Sequence, residues 1–465
     1  MSHEFKQLAL RPELLDNLNS LGYQQMTDIQ AACLPLALDG KDLIAQAKTG
    51  SGKTAAFALA LLQRLNVERF RIQSLVLCPT RELADQVAKE IRRLARRVHN
   101  IKVLTLCGGM PIGPQIGSLE HGAHIVVGTP GRIQDHLRKG TLDLGNIHSL
   151  VLDEADRMLD MGFADAISAI LAECPSERQT QLYSATYPEG IEAISRQYQR
   201  EPQRITVSRT HSESNIAQQA YAVEGGEQEK NDLSHRLLAR QQPSSCVIFC
   251  ATKKQTVDIA QSLNEQGWYC LALHGDMEQR ERDLSLLRFA NGSATVLVAT
   301  DVAARGLDVD TVELVINYDL PRDAEVYVHR IGRTGRAGRS GLAVSLVNDK
   351  QRRAMGDIEK YIGQDIEWAE PAAVDDISMV DQRPAMITIG MDAGKKNKLR
   401  PGDILGALTG DAGIEGKYVG KINVLLFQSY VAVQRAVANK ALKQLQAGKI
   451  KGRKIKVRKI SRPNV

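Results

Sequence analysis

A glycine-rich stretch between an apolar run and a helical run carries the clearest chemical signal in the sequence. Residues 47–54 read AKTGSGKT, with the apolar run 43–45 before them and an Ala- and Leu-rich run, 55–65, after them. Strand, glycine loop, Lys-Thr and helix is the layout of a phosphate-binding loop, in which backbone N–H groups and a helix N-terminus surround phosphate oxygens. Lys53 would reach the β- and γ-phosphates, and the Thr54 hydroxyl would hold Mg²⁺. Ala47 stands where the strict pattern has glycine.

Two adjacent acids form a second candidate for chemistry. Asp153 and Glu154 directly follow the apolar run 150–152, which is predicted to be a buried strand. An acid at a strand end in a phosphate-loop domain is the expected second anchor for Mg²⁺, and this role is assigned to Asp153. Glu154 could take a proton from the attacking water. A lone Asp-Glu pair would be a solvated turn, and the phosphate loop is what favours the catalytic interpretation.

A basic cluster lies far downstream of both. His329, Arg330, Arg333 and Arg336 fall within eight residues. Such a cluster is either a nucleic-acid patch or a set of arginines aimed at a phosphoryl group. Both alternatives remain open from the residues alone.

Short apolar runs alternate with helical stretches twice along the chain, which predicts two parallel sheets covered on both faces. The first domain is predicted over residues 1–208 and the second over 246–368, with 209–245 as a linker and entry segment. In such sheets ligands bind at the carboxyl ends of the strands. One domain carries the phosphate loop and the other the arginines, so ATP is expected in the cleft between them.

The C-terminal part is predicted to be a small basic domain. Residues 369–384 form a linker, and 385–465 show the order β-α-β-β-α-β of the four-stranded RNA-recognition fold. This segment carries 12 lysines and 5 arginines against 4 acidic residues, a net charge of +13, whereas the rest carries 43 basic and 50 acidic residues, or −7. A basic domain on a mildly acidic body indicates a polyanionic partner. The aromatic signature of the fold is missing from residues 430–434, which leaves base stacking on the sheet face in doubt.

Composition places the chain among soluble cytoplasmic proteins. No apolar run is long enough to cross a membrane, and residues 1–6 lack the pattern of a signal peptide. The seven cysteines mostly lie in or beside apolar runs, as expected for buried free thiols in a reducing compartment. A monomer without membrane contact is expected.

The motifs together resemble the DEAD-box RNA helicases. The resemblance covers roughly residues 5–347 in family order and rests on residues 49–54, 79–83, 129–132, 153–156, 184–186, 299–308 and 329–336. The C-terminal segment, and residues 394–403 in particular, look like the DbpA group of that family, whose members act on large-subunit ribosomal RNA. The implied fold is α/β, with two tandem RecA-like domains followed by a small α+β RRM-like domain. Ala47 is the family's usual residue at its position.

The resemblance implies an ATP site built from both RecA-like domains. Phe5 would stack on the adenine and Gln30 would read its edge, although Asp28 stands where the family usually has proline. Asp308 would lie near the ribose, and Arg333 and Arg336 would be arginine fingers. The full predicted ATP set is Phe5, Tyr23, Gln30, Ala47, Lys48, Thr49, Gly50, Ser51, Gly52, Lys53, Thr54, Asp308, Arg333 and Arg336. Catalysis is assigned to Lys53, Asp153, Glu154, Arg333 and Arg336, with Mg²⁺ on Thr54 and Asp153.

The resemblance also implies an RNA track and residues that couple it to ATP. Coupling is assigned to Ser184, Thr186 and His329. The predicted RNA contacts are Arg81, Gly109, Thr129, Arg132, Gln279, Arg282, Thr300, Arg305, Lys395, Lys396, Lys398 and Arg400.

The function expected from these motifs is RNA-stimulated ATP hydrolysis with local unwinding of short duplexes in 23S ribosomal RNA during assembly of the 50S subunit. The C-terminal domain, tethered by its linker, would raise the effective concentration of the core near one RNA site. A general helicase acting on other RNAs such as mRNA is the alternative. A DNA translocase is less consistent with Ala155, Asp156 and the stretch around Gln30. A non-enzymatic RNA chaperone is less consistent with intact Lys53, Glu154, Arg333 and Arg336. The sequence leaves open whether the C-terminal domain binds RNA through its sheet face, residues 395–400 or residues 449–459.

Overall fold

The computed structural model describes residues 3–47, 51–187, 189–207, 216–304, 312–335, 340–371, 383–410 and 413–460. The chain divides into two compact units, Met1–Ser212 and Glu213–Val465. The first unit holds one α/β domain. The second unit holds another α/β domain and the small C-terminal domain.

The first unit is built on a seven-stranded parallel sheet with strand order β3-β4-β2-β5-β6-β1-β7. Strands β2, β4, β5 and β6 are buried along their whole length. This burial explains why β2, β4 and β5 appear in the sequence as apolar runs without alternation, whereas β6 also carries polar residues such as Gln179 and Gln181. The strands are β1 (Leu43–Gln46), β2 (Ser74–Leu77), β3 (Val103–Leu106), β4 (Ile125–Gly128), β5 (Ser149–Asp153), β6 (Gln179–Ser184) and β7 (Gln203–Thr206).

Nine helices surround this sheet within the described residues. Pro12 and Pro130 begin two of them, as expected from the fixed φ of proline, and the Thr80 side chain caps the N-terminus of another by accepting from the Leu83 N–H. The helices are α1 (Pro12–Ser20), α2 (Asp28–Leu38), α3 (Lys53–Arg64), α4 (Arg81–Leu94), α5 (Gly113–Glu120), α6 (Pro130–Arg138), α7 (Ala155–Asp160), α8 (Ala164–Ala172) and α9 (Glu189–Tyr198).

The second unit repeats the architecture with strand order β10-β11-β9-β12-β13-β8-β14, again parallel. Its strands are β8 (Ile216–Ala222), β9 (Cys246–Phe249), β10 (Cys270–Leu273), β11 (Val296–Ala299), β12 (Leu314–Asn317), β13 (Gly341–Val347) and β14 (Glu367–Ala369). Its helices are α10 (Gly226–Gln241), α11 (Lys253–Glu265), α12 (Gln279–Ala290), α13 (Asp301–Ala304), α14 (Ala324–Ile331) and α15 (Arg352–Ile362).

The C-terminal domain is a four-stranded antiparallel sheet of order β16-β17-β15-β18 with two helices, in the predicted β-α-β-β-α-β sequence. Its elements are β15 (Met386–Met391), α16 (Pro401–Thr409), β16 (Val419–Val424), β17 (Ser429–Gln434), α17 (Ala438–Ala447) and β18 (Val457–Lys459). One sheet face packs on the helices through Ile389, Val431 and Val433.

The second sheet begins earlier in the sequence than predicted. Residues 209–245 were expected to be a linker and an entry segment. Both β8 and α10 lie there, and β8 is an interior strand of the sheet, between β13 and β14. Strand β14 likewise extends one residue beyond the predicted end of the domain. The polar residues of β8 conceal it, because Gln218 and Gln219 interrupt the apolar run that would mark a buried strand.

The C-terminal domain contacts the second α/β domain, so it is held by more than a linker. The Asn291 Nδ2 donates to the Thr388 Oγ1 at 2.9 Å, and the Ser293 and Thr388 hydroxyls are 2.6 Å apart. A side-chain hydrogen bond joins Arg280 and Tyr430. These contacts lie on the sheet face opposite the helices, and they add to the attachment expected from the linker.

All seven cysteines, each within the described ranges, are buried free thiols. In the part of the chain that the structure describes, no helix combines the length and the hydropathy needed to cross a membrane.

Candidate active site

The residues predicted to handle the nucleotide meet at one edge of the first sheet. Ala47 follows β1, Asp153 ends β5 and Ser184 ends β6, and these three strands are neighbours in the order β5-β6-β1. Because all are parallel, their carboxyl ends share one edge, which is where ligands bind in open α/β sheets. Ala47, the acid pair 153–154 and the segment 184–186 are thus brought together at this edge.

The phosphate loop connects β1 to α3. Lys48, Thr49 and Gly50 lie outside the described residues. Lys53 begins α3, and its ammonium is buried and donates to the Ala47 carbonyl oxygen at 2.7 Å. Thr54 is partly buried in the same first turn. The ammonium and the first-turn N–H groups concentrate positive charge at this helix terminus, as binding of a phosphate requires.

The stretch around Gln30 is joined to the phosphate loop. Thr27 and Gln30 form a capping box at the start of α2, in which the Thr27 N–H donates to the Gln30 Oε1 at 2.9 Å. The Gln30 Nε2 donates to the Gly52 carbonyl at 3.1 Å, and the Thr27 hydroxyl donates to the Ser51 carbonyl at 2.7 Å. The amide predicted to read adenine therefore also supports the loop predicted to hold phosphate.

Phe5 and Tyr23 lie together beside this stretch. Their rings meet edge to face with centroids 6.0 Å apart, and Phe5 is buried. The Tyr23 hydroxyl donates to the Glu90 carboxylate at 3.1 Å. Burial, with a further contribution from Glu90, raises the pKa of Tyr23. Because Phe5 belongs to the core of the first unit, its ring has only a small exposed surface with which to stack on a base.

The acid pair occupies a strained junction between β5 and α7. Asp153 and Glu154 are both buried. Burial raises the pKa of Asp153, whereas the nearby Lys53 ammonium lowers it. Glu154 has φ 52° and ψ 52°, a left-handed conformation that is uncommon for residues other than glycine. Its carboxylate accepts from the Arg157 guanidinium at 2.9 Å, and both side chains are less than one tenth exposed.

Asp156 connects the acid pair to the Ser-Ala-Thr segment. Its Oδ2 accepts from the Ala185 N–H at 3.0 Å, the Thr186 N–H at 2.9 Å and the Thr186 hydroxyl at 3.2 Å. Its Oδ1 accepts from the Arg157 N–H at 2.9 Å. The predicted coupling residue Thr186 is thus tied to the loop that carries Glu154.

The predicted RNA contacts of the first unit follow three neighbouring strands at the same sheet edge. Arg81 comes after β2, Gly109 after β3 and Thr129 after β4, in the strand order β3-β4-β2. The Arg81 guanidinium lies so close to Gly109, whose φ is 74°, that any side chain there would collide with it. The Arg132 guanidinium donates to the Met110 carbonyl at 2.9 Å. These four residues therefore lie at the sheet edge that also carries Ala47, Asp153 and Ser184.

The predicted residues of the second unit fall at the corresponding edge of its sheet. Thr300 follows β11, and Gln279 and Arg282 lie in the first turn of α12, which follows β10. His329 lies in α14, and the Arg333 Nε donates to its carbonyl oxygen at 3.3 Å. Arg305, Asp308 and Arg336 lie outside the described residues.

Arg330 is a structural residue within the arginine motif. Its side chain is 3% exposed and forms a bidentate pair with Asp301 at 2.6 and 2.9 Å. It also donates to the Asn317 side chain at 3.2 Å and the Asp319 carbonyl at 2.6 Å. Arg330 therefore joins α14 to α13 and β12 and stabilises the fold around the arginine motif.

Four basic residues of the C-terminal domain remain at its surface. Lys395, Lys396, Lys398 and Arg400 are all exposed in the segment that leads into α16. None of them is needed to fill the core, so they are available to a polyanion.

The donor chemistry of the first site suits a nucleoside triphosphate with Mg²⁺. A buried ammonium and a helix N-terminus favour phosphate, and the Thr54 hydroxyl and Asp153 carboxylate are the hard oxygen ligands that Mg²⁺ requires. The buried Ser184 Oγ has no hydrogen-bond partner among the described residues, although it lies at the end of β6 in this site. A buried hydroxyl of this kind suits a ligand that supplies the partner.

Sequence reasoning missed three contributors to the site. Thr27 was detectable, because Thr-x-x-Gln before an apolar run is a capping-box pattern. Arg157 was detectable only in part: its spacing of three from Glu154 permits a helical ion pair, but nothing in the sequence indicates burial. The acceptor role of Asp156 toward residues 185–186 depends on tertiary packing and left no local signal.

Comparison with known proteins agrees with this geometry. Three family models match: DEAD/DEAH box helicase over residues 27–194, Helicase conserved C-terminal domain over 229–338, and DbpA RNA binding domain over 388–459. Each falls on one of the three domains described above.

Two full-length relatives and one solved structure resemble the chain closely. The ATP-dependent RNA helicase DbpA of Escherichia coli strain K12 is 56% identical, over 97% of this chain and 98% of the relative. The protein of the same name from Bacillus subtilis strain 168 is 38% identical, over 99% of this chain and 100% of that one. The structure of S. cerevisiae Dbp5 bound to RNA and ADP BeF3 matches with a TM-score of 0.74 and 33% identity, over 80% of this chain and 97% of that chain.

The family models cover the phosphate loop, the acid pair and the arginine motif in order. The identity to relatives extends through the C-terminal domain. The donor groups at the sheet edge and the exposed basic residues of the C-terminal domain are consistent with the family models and with the relatives. The chain belongs to the DEAD-box ATP-dependent RNA helicases, within the DbpA group.

Proposed function

We propose that this helicase unwinds short duplexes in 23S ribosomal RNA during assembly of the 50S subunit. The observation that carries the proposal is the match of the DbpA RNA binding domain to residues 388–459, which lie within the segment 385–465 of +13 net charge and in which Lys395, Lys396, Lys398 and Arg400 are exposed. An RNA-binding domain of this kind directs the catalytic core to particular RNAs, whereas phosphate and 2′-OH contacts in the core carry no sequence information.

The residues of the first unit would bind and orient ATP. The Lys53 ammonium would neutralise the β- and γ-phosphates, and Phe5, Tyr23 and Gln30 would hold the adenine. Thr54 and Asp153 would hold Mg²⁺, which supplies neutralisation of the charge that develops on the phosphate oxygens. Asp153 must be ionised for this role, and Lys53 favours that form.

Glu154 is the proposed general base. Its carboxylate is held by Arg157 at 2.9 Å, which fixes its orientation at the sheet edge. It would accept a proton from the attacking water. Arg333 and Arg336 would stabilise charge on the transferred phosphoryl group, an effect that for arginine fingers is worth about 10³–10⁵ in rate.

RNA would bind across both α/β domains and favour their closure. The proposed contacts are Arg81, Gly109, Thr129 and Arg132 in the first unit and Gln279, Arg282, Thr300 and Arg305 in the second. Because RNA and ATP would stabilise the same closed arrangement, each must tighten binding of the other. Ser184, Thr186 and His329 would transmit this coupling, supported by the three hydrogen bonds that Asp156 accepts from residues 185–186. A strand bent in this track cannot remain paired, so closure would separate a short duplex.

One chain would suffice for this cycle, because both sets of proposed ATP residues and both halves of the RNA track belong to it. We place the activity in the cytoplasm, where a 50S precursor would be available to it.

ATP hydrolysis with three polynucleotides tests the proposal. Ribosomal RNA of the large subunit should stimulate hydrolysis most, a short generic RNA less, and DNA not at all. Glu154→Gln, which keeps size and hydrogen bonding but cannot accept a proton, should retain ATP and RNA binding and lose turnover.

Each outcome separates one alternative. Absence of stimulation by any RNA would contradict the helicase mechanism proposed for the core. Equal stimulation by all RNAs would contradict only the ribosomal target and favour a general RNA helicase. Wild-type turnover by Glu154→Gln would remove Glu154 as the base.

A further inference from the structure

The C-terminal domain has an exposed apolar turn where β16 joins β17. Leu425, Leu426 and Phe427 are 40%, 38% and 57% exposed, and Phe427 is the most exposed of the large apolar residues in the described part of the chain. With Lys395 and Lys396, these residues form what is called here the tip patch. Three consecutive large apolar side chains in water are unfavourable unless a partner covers them.

The tip patch has a fixed conformation. The Lys395 N–H donates to the Leu425 carbonyl at 2.8 Å, the Lys396 N–H donates to the Leu426 carbonyl at 3.0 Å, and the Leu425 N–H donates to the Gln428 carbonyl at 2.8 Å. A Cβ added at Gly394 would lie 2.7 Å from the Leu426 carbonyl oxygen and 2.8 Å from the Gln428 nitrogen. Glycine at this position therefore permits the turn to lie directly against the lysine segment.

A basic group already contacts the exposed ring. The Lys396 ammonium lies 4.7 Å from the centre of the Phe427 ring, a cation–π distance. More than half of the Phe427 surface remains exposed despite this contact. Lys398 and Arg400 are exposed in the same segment. The nearby Asp392 is paired with Arg458 at 2.7 Å, so the charge offered by the patch is positive.

The usual base-stacking face of a four-stranded RNA-recognition fold is not available in this domain. Thr388, Tyr430 and Ala432 alternate with the core residues of β15 and β17, and all three are buried. Thr388 is hydrogen-bonded to Asn291 and Ser293 of the second α/β domain. An RNA bound by this domain must therefore find its stacking partner elsewhere.

We propose that the tip patch binds an unpaired base of RNA, which stacks on the Phe427 ring while Lys395 and Lys396 contact the flanking phosphates. An aromatic side chain beside lysines is the combination that single-stranded RNA sites use. A protein partner fits less well, because the centres of protein interfaces are depleted of lysine. The proposal rests on the proposed function, because it specifies which feature of the RNA substrate, an unpaired base, the C-terminal domain binds.

The test uses the full chain and three variants of it. Their affinities are measured without nucleotide, for a single-stranded RNA oligonucleotide and for a blunt RNA duplex of matched length. Phe427→Ala should weaken binding of the single strand about 5- to 150-fold, the range expected for one base–aromatic stack. Phe427→Trp should retain or strengthen it. Leu405→Ala, which removes another exposed apolar side chain of the same domain, should leave it unchanged. None of the three should alter duplex binding.

The salt dependence provides an independent readout. Lys396→Gln should reduce the slope of log affinity against log salt concentration by about 0.7, because it removes one phosphate contact to a single strand, whereas Phe427→Ala should leave the slope unchanged. Wild-type affinity of Phe427→Ala for the single strand would overturn the proposal. Equal losses for single strand and duplex, or a self-association of the chain that Phe427→Ala abolishes, would overturn it too. ATP hydrolysis by the wild-type chain is measured in the same preparation. If RNA stimulates it, such a result contradicts the proposal for the tip patch and leaves the proposed helicase function intact.

Discussion

At the scale of single residues, Arg330 stabilises the second unit, whereas Arg333 and Arg336 of the same motif are the proposed arginine fingers. Arg330 is enclosed by four hydrogen bonds at 2.6–3.2 Å and by the Phe249 ring, 5.1 Å from its guanidinium carbon. The residues alone grouped these arginines in one basic cluster, and the family resemblance singled out Arg333 and Arg336 without assigning a role to Arg330. The hydrogen-bond partners of Arg330 identify it as a structural residue, and they lie 11 to 29 positions away in the chain.

Replacing Arg330 should destabilise the second unit. Arg330→Ala leaves the Asp301 carboxylate without its bidentate partner, and we expect a loss of about 3 kcal/mol in the free energy of unfolding. Both tryptophans, Trp268 and Trp368, lie in this unit, so their fluorescence during denaturation in urea measures it directly. Arg322→Ala, an exposed position before α14, is the control and should change stability by less than about 0.5 kcal/mol. An unchanged unfolding midpoint for Arg330→Ala would contradict the structural role.

At the scale of elements, the sequence predicted the strands that are apolar and missed those that are not. The runs at β1 to β6 and β9 to β13 were recognisable because both faces of these strands are covered. Strand β7 (Gln203–Thr206) is largely exposed at the sheet edge, and its residues Gln-Arg-Ile-Thr have no apolar run. Helix α16 has a recognisable start in the sequence, because Pro401 occupies its first position and apolar residues follow.

The hydrogen bonds that Asp156 of α7 accepts from Ala185 and Thr186, after β6, should affect RNA unwinding more than ATP hydrolysis. Both carboxylate oxygens of Asp156 act as acceptors, so Asp156→Asn places an NH₂ group against an N–H donor in either amide orientation. Loss of one charge-assisted hydrogen bond, about 1.5–3 kcal/mol, should reduce duplex unwinding by about tenfold or more. We expect ATP hydrolysis to fall less.

The measurement compares unwinding of a short RNA duplex with ATP turnover under the same conditions. Asp165→Asn, an exposed position on α8, controls for the change of charge. Equal reductions in the two rates would show that Asp156 supports the hydrolytic site rather than its coupling to RNA.

At the scale of the whole molecule, the sequence predicted three domains and the sign of their charges. It did not predict how the third attaches to the second. The hydrogen bonds of Thr388 with Asn291 and Ser293 join residues 95 and 97 positions apart, and each of these side chains alone is an ordinary polar residue. Only the fold shows that they are buried together.

Removal of the C-terminal domain should separate targeting from catalysis. A chain without residues 385–465 should keep weak ATP hydrolysis that any RNA stimulates, because the core contacts RNA through phosphate and 2′-OH groups. Deletion also exposes Asn291 and Ser293, so the full chain with Lys395, Lys396 and Lys398 all changed to Gln is the matched variant. Both should lose preference for large-subunit ribosomal RNA in the hydrolysis assay. Retained preference in both variants would exclude a targeting role for the domain.

The buried contacts at Thr388 also set a limit on the geometry of the substrate. A domain on a flexible linker accepts an RNA element at many distances, whereas one fixed by hydrogen bonds to the second α/β domain holds that element at one distance and direction from it. The length of RNA between the bound element and the duplex then becomes part of what the enzyme recognises. Extra nucleotides inserted in that spacer would move a duplex out of register with the second α/β domain even though every individual contact residue were intact.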